Sequence, residues 1–224
     1  MVRRSSFVLA LAFITVSAMP AFAQEPKAEV TVNVGWVFSD GVTGDSVVGG
    51  DGNTYNEIVP KSAGSFGFTF GFLPSEHTEV GFLYGRQMSE LQAKGTATTK
   101  VDDMAVDNYH VYFGYNFGDF DERVRPYVMF GLGATHYNGV SFVTAQGEQR
   151  NVSGQSRFST TLGAGVKVYP SPNVGVKLGA RWTPTYIKSD ATGWWCDPWW
   201  GCYVVGNSQY SNQFELTGGV AFRF

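Results

Sequence analysis

The sequence predicts an all-β chain, an eight-stranded antiparallel transmembrane β-barrel. Three observations predict it. Apolar residues recur at every second position in eight segments, the connections between those segments alternate long and short, and mean hydropathy is only −0.10 although 43% of the 224 residues are hydrophobic and 16% aromatic. An apolar face and a polar face on each strand cancel in any average, which is how membrane barrels hide their lipid-facing surface from hydropathy plots. Composition excludes other classes. Charged residues make up only 16% and aromatics are abundant, which argues against disorder; the 28 glycines have no three-residue period, which removes collagen. With 16 Lys+Arg against 19 Asp+Glu there is no basic excess to attract nucleic acid.

The first segment is not a strand. Arg3 and Arg4 precede an apolar run from Phe7 to Met19, and Ala21-Phe22-Ala23 supplies small residues at the positions a signal peptidase reads. Residues 1–23 are expected to be a signal peptide cut before Gln24, and residues 24–224 the barrel domain; the run is shorter than the roughly 20 residues a spanning helix needs.

The strands follow from period two. Val30, Val32, Val34, Trp36 and Phe38 alternate with Thr31, Asn33 and Gly35 in the first; Phe66, Phe68, Phe70 and Phe72 with Ser65, Gly67, Thr69 and Gly71 in the second. Val80, Phe82 and Tyr84 oppose Glu79, Gly81 and Gly85, and Tyr109, Val111, Phe113, Tyr115 and Phe117 oppose His110, Gly114 and Asn116. The fifth strand carries Val128, Phe130 and Leu132, with Pro126 tolerable at its start. Leu162–Val168, Val174–Trp182 and Phe214–Phe224 complete the set.

The connections fall at about 40–60, 73–77, 89–103, 118–124, 139–155, 170–173 and 188–210. Long outer loops and short periplasmic turns, with both termini periplasmic, are the pattern of a bacterial outer-membrane barrel. A soluble barrel fills its interior with the bulky phase. Here the opposite phase is Gly, Ser, Thr and Asn with a few charges, which suits a narrow interior while the bulky phase meets lipid. Tyr109, Tyr112, Tyr115, Phe117, Tyr127, Tyr169, Trp36, Trp182 and Tyr186 near strand ends are expected to form interfacial girdles.

The ending Thr217-Gly218-Gly219-Val220-Ala221-Phe222-Arg223-Phe224 resembles the C-terminal signal of outer-membrane barrels, which implies that Gly219, Phe222 and Phe224 are read by the barrel-assembly machinery. Arg125-Pro126-Tyr127-Val128-Met129-Phe130-Gly131-Leu132-Gly133, and Leu162–Tyr169 leading through Ser171-Pro172-Asn173 into Val174–Trp182, resemble the small outer-membrane β-barrel superfamily of OmpA-, OmpX- and OmpW-like proteins. Ending at Phe224, the chain is expected to lack the periplasmic domain of full OmpA proteins. The resemblance implies a cell outer membrane location, contact with outer-membrane lipid and lipopolysaccharide, and a barrel, but no activity.

The inward charges are Glu79, Lys167, Lys177, Arg181, Glu215 and Arg223, with His110 titratable. Pairing the last two strands with Val174 near Phe224 sets Glu215 level with Arg181, and Lys177 is expected to share that carboxylate, relieving its repulsion with Lys167 across the sixth-to-seventh turn. Lys167, Lys177, Arg181 and Glu215 then form a structural plug, since an eight-stranded barrel is just wide enough for side chains to fill; the other reading is a narrow basic-lined path for small solutes or anions, as in OmpW-like channels.

Cys196 and Cys202 in the last long loop are expected to form a local disulfide in an oxidising compartment. Trp194, Trp195, Trp199 and Trp200 around them either cap the mouth and rest on headgroups or form a recognition surface for a host or cell-surface ligand. No cofactor or metal is expected. Gly163-Ala164-Gly165 lacks the rest of a dinucleotide fingerprint; Asp40, Asp45, Asp51, Asn53 and Glu57 lack EF-hand spacing. A lipid A-modifying enzyme would need a nucleophile beside an oriented base at the rim. Only His136, with Ser141 or an Asp nearby, has the position for it. The expected role is therefore non-enzymatic, structural or surface-interacting.

Overall fold

A computed structural model describes residues 26–48, 52–143, 149–187, 195–197, 201–203 and 210–224. In chain order the strands are β1 (Ala28–Ser39), β2 (Val42–Val48), β3 (Thr54–Pro60), β4 (Ala63–Phe72), β5 (Thr78–Gly95), β6 (Thr98–Asn116), β7 (Val124–Tyr137), β8 (Val140–Val143), β9 (Gln149–Val152), β10 (Gln155–Val168), β11 (Val174–Tyr186), β12 (Trp195–Asp197), β13 (Gly201–Tyr203) and β14 (Tyr210–Arg223). Eight of them, β1, β4, β5, β6, β7, β10, β11 and β14, pair antiparallel in that order, and β14 returns to β1. Closure leaves no unpaired strand edge within the lipid.

The eight barrel strands lie where the alternation puts them. The segment 89–103 does not form the long connection expected of it. β5 and β6 continue through it as a tall hairpin whose pairing runs out to Lys94 opposite Thr98. Eight residues of β5, 88–95, rise beyond its last pair with β4, Ser65 opposite Gln87, or about 25 Å at the usual rise per residue. In the first long connection, β2 and β3 form a hairpin whose β3 pairs with the upper part of β5, so an antiparallel sheet stands outside the membrane. Two further hairpins, β8–β9 and β12–β13, occupy the other long connections.

The reason is a reversal of phase. Within the barrel the large outward residues, such as Phe70, Phe82, Phe113, Phe130, Leu162 and Leu178, are all exposed. So contiguous an apolar belt is tolerable only against lipid. Above the belt, β5 and β6 turn Leu91, Ala93, Met104 and Val106 inward, all buried, while Glu90, Gln92 and Asp103 point out. There the outer medium is water, and the ordinary soluble rule returns: apolar inside, polar outside. Val42, Leu91, Met104, Val106, Tyr137, Val140 and Ile187 pack into one cluster over the extracellular mouth, with Ile58 and Val101 against it.

Candidate functional site: the barrel interior and its extracellular wall

The interior is built in layers. The periplasmic layer centres on Lys167, whose Nζ lies 2.6 Å from Glu79 Oε2 and 2.9 Å from Glu29 Oε1. Tyr112 donates to Glu79 at 2.5 Å, Asn116 donates to its other oxygen at 3.3 Å, and Tyr169 donates to Glu29. Arg223 Nε stands 3.6 Å from Glu29. Buried carboxylates keep their charge only where cations and donors surround them. Lys177 is directly opposite Lys167 across the β10–β11 hairpin. It turns not to Glu215, as expected, but to Glu29 at 3.8 Å, with the Tyr127 ring 4.8 Å beneath its ammonium. Residues of seven strands, β1, β5, β6, β7, β10, β11 and β14, meet in this layer around the lumen, and only closure decides which reach each other.

Above it, Arg181 and Glu215 face each other in register and form an ion pair, to which Ser65 adds a hydroxyl donor at 2.5 Å from Glu215. The next layer is uncharged. Asn108 donates to Gln213 at 3.0 Å, Thr135 to Asn108 at 2.7 Å and Gln87 to Ser39 at 3.1 Å, and His110 Nε2 lies 2.9 Å from Ser159 Oγ. The apolar cluster of the extracellular wall closes the stack.

Two interior charges escape the sequence reading. Glu29 and Arg125 are almost fully buried, yet each sits at the first turn of alternation in its strand, before the apolar phase begins. Counting two residues back from Thr31 and from Tyr127 would have found them. The same parity corrects the girdle. Tyr112, Tyr127 and Tyr169 are interior residues, whereas Trp36, Tyr109, Tyr115, Phe117 and Trp182 are exposed on the outer face.

On that outer face, the register aligns Arg86 with Asp107, Asp107 with His136, and His136 with Ser156. His136 Nδ1 lies 2.9 Å from Ser156 Oγ. The Ser141 backbone N–H donates to Asp102 at 2.6 Å. Asp107 accepts from Tyr84 at 2.8 Å and faces Arg86 at 3.6 Å, with no bond to the imidazole among the described contacts. The row is a polar step above the Tyr84–Tyr109 aromatic pair, where the lipid-facing belt ends. Higher on the wall, Lys61 and Lys100 flank Glu90 at 3.3 and 3.6 Å, and the bond from Lys100 to Asp103 holds that ammonium above its ordinary pKa.

Among the described residues, one cluster has metal-ligand spacing, Glu76, His77 and Asp119 in the periplasmic turns, and not the acidic first loop. β12 and β13 place Cys196 opposite Cys202 along the backbone. Their side chains and that of Trp195, like residues 1–23, Trp194, Trp199 and Trp200, lie outside what the structure describes. Gly219 faces inward against Asn33, where an added Cβ would stand 2.9 Å from its Cα, and Phe222 and Phe224 face outward, both exposed.

A closed barrel with a lipid-facing belt and a charged, packed lumen is a transmembrane β-barrel of the bacterial outer membrane. The chain belongs to the family described as outer membrane protein beta-barrel domain, whose model matches residues 8–224. Similar solved structures include Neisserial surface protein A, with a TM-score of 0.53 and 16% identity over 88% of this chain and 97% of that one. The outer membrane protein OprG from Pseudomonas aeruginosa gives 0.55 and 12% over 89% and 97%. AlkL, solved in lipid bilayers, gives 0.52 and 14% over 92% and 95%. No curated protein sequence matches the chain significantly. At such identities the likeness is one of fold, and a fold of this kind hosts unrelated functions.

Proposed function

We propose that this protein is a sealed, non-enzymatic barrel with a structural or surface-interaction role, carried by its extracellular wall and the loop 188–210. The observation that supports the reading most is the stacking of the interior: an ion-pair layer, a hydroxyl and amide layer and an apolar cap occupy successive levels of one narrow lumen. A conducting path would have to displace all three. Side-chain filling at this strand number favours a plug over a pore. The Arg86–Asp107–His136–Ser156 row lacks the oriented base that acyl transfer requires, which favours the non-enzymatic reading over a rim-sited lipid A enzyme.

In this reading the signal peptide is removed before Gln24, the assembly machinery reads the strand ending at Phe224, and the outer face rests in lipid and lipopolysaccharide. Cys196 and Cys202 close a disulfide across the β12–β13 hairpin and fix the four tryptophans as a contact surface. Single-channel recording in planar bilayers tests the sealed lumen: the parent gives no steps, and discrete steps would transfer the function to the OmpW-like narrow channel. Replacing Trp194, Trp195, Trp199 and Trp200 together tests the surface. Adhesion to host matrix or cells falls while the band shift on heated gels is kept; unchanged adhesion removes that role.

A further inference from the structure

Between the two charged layers lies a cavity of about 30 Å³, lined on its polar side by Thr31, Asn33, Thr69, Thr217, Lys177 and Arg181. Both charged residues in that lining are cations. The carboxylates that pair with them, Glu29 and Glu215, are not part of the lining.

The lumen as a whole is short of negative charge. Among the described residues its buried interior cations are Arg125, Lys167, Lys177, Arg181 and Arg223, against the carboxylates of Glu29, Glu79 and Glu215. Cations outnumber carboxylates there by two, Arg125 donating only to the backbone carbonyls of Glu76 and Gly118, and an excess of charge in low-dielectric surroundings is costly. Lys177 is poorly compensated. Among the described residues its one carboxylate neighbour within ion-pair range lies 3.8 Å away, beyond hydrogen-bonding reach, and that group already contacts Lys167 at 2.9 Å. Asn33 adds a second, independent observation, because its buried Oδ1 accepts no hydrogen bond among the described residues. Amide oxygen and nitrogen are interchangeable by a flip, so this side chain can equally turn an N–H into the space.

We propose that this cavity is a binding site for one small monovalent anion of the halide class, chloride in the cell's surroundings. An ion of that size fits a space of one or two waters, whereas a tetrahedral oxyanion does not. Lys177 and Arg181 supply the charge and the Asn33 amide a neutral donor, and the Thr31 and Thr217 hydroxyls, which otherwise donate at 3.4 Å to Glu29 and to the Gly179 carbonyl, turn to the ion when it binds. The site holds whether or not the barrel conducts, and it does not depend on the surface role proposed above.

The test uses the intact barrel refolded in detergent. Crystals grown in bromide are expected to give an anomalous peak in the cavity in contact with Lys177 Nζ. Resistance to urea is expected to rise saturably with chloride but not with gluconate at equal ionic strength. Lys177→Met abolishes this chloride dependence. If that variant does not fold, Thr217→Val removes one hydroxyl and weakens the apparent chloride affinity about tenfold, the effect of one charge-assisted hydrogen bond. No bromide peak together with identical midpoints in chloride and gluconate means water only, and overturns the site.

Discussion

Lys167 on β10 and Glu79 on β5 stand three strands apart around the barrel, and their charged atoms meet at 2.6 Å inside it, so one ion pair ties nearly opposite walls. Both side chains are almost fully buried. A tie of this kind stabilises only as a pair, because each member alone is a charge in a poorly solvated lumen.

Lys167→Met should therefore cost about 3–5 kcal/mol, the usual penalty for stranding buried charges. Urea unfolding in micelles measures it. Lys167→Met combined with Glu79→Gln should recover part of the loss, and strict additivity of the two would show that the pair is not coupled.

The lipid-facing belt predicts a depth-dependent response to charge. Phe130→Lys, in the middle of the β7 outward row, should destabilise insertion by about 2–4 kcal/mol, and Met88→Lys, above the belt, by about 0–1 kcal/mol. Folding into lipid vesicles across a urea series compares them.

One glycine is predicted to be indispensable for steric reasons. A Cβ on Gly179 would lie 2.3 Å from the Tyr127 hydroxyl and 3.3 Å from the Ala164 carbonyl. Gly179→Ala should lose about 1–3 kcal/mol through overpacking. Tyr127→Phe removes the clashing oxygen, so the double variant should regain most of that loss in the same unfolding assay.

The extracellular wall has its own apolar core, and that core should be separable from the barrel. Leu91→Asp buries an unpaired carboxylate beside Met104, Val106 and Tyr137. Trypsin added to whole cells should then cut after Lys94 or Lys100 in the variant but not in the parent, while the barrel still shifts on heated gels.

How much of this was legible beforehand depends on which medium each segment faces. From Val30 to Phe224 the outward apolar phase marks all eight barrel strands, because lipid demands an uninterrupted hydrophobic face. Residues 89–103 do not carry that mark because water replaces lipid around them. Leu91, Ala93, Met104 and Val106 still alternate, on the opposite phase. Parity also held the answer for Tyr112 and Tyr127, whose positions share the inward phase of His110 and Met129. Their aromatic character suggested a girdle, but strand phase outranks residue type.

By itself, then, the sequence determined the strands, their faces, the closed antiparallel architecture and the one interior contact that follows from pairing the last two barrel strands with Val174 near Phe224, Arg181 with Glu215, since register between neighbouring strands fixes which residues stand level. The tertiary structure alone decided which charges meet across the lumen: that Lys167 joins Glu79 and Glu29, that Lys177 is left poorly paired beside a small cavity, and that apolar residues from distant connections close the mouth. Those contacts depend on how the strands are staggered when the sheet closes. Stagger is a property of the whole ring that no single strand encodes.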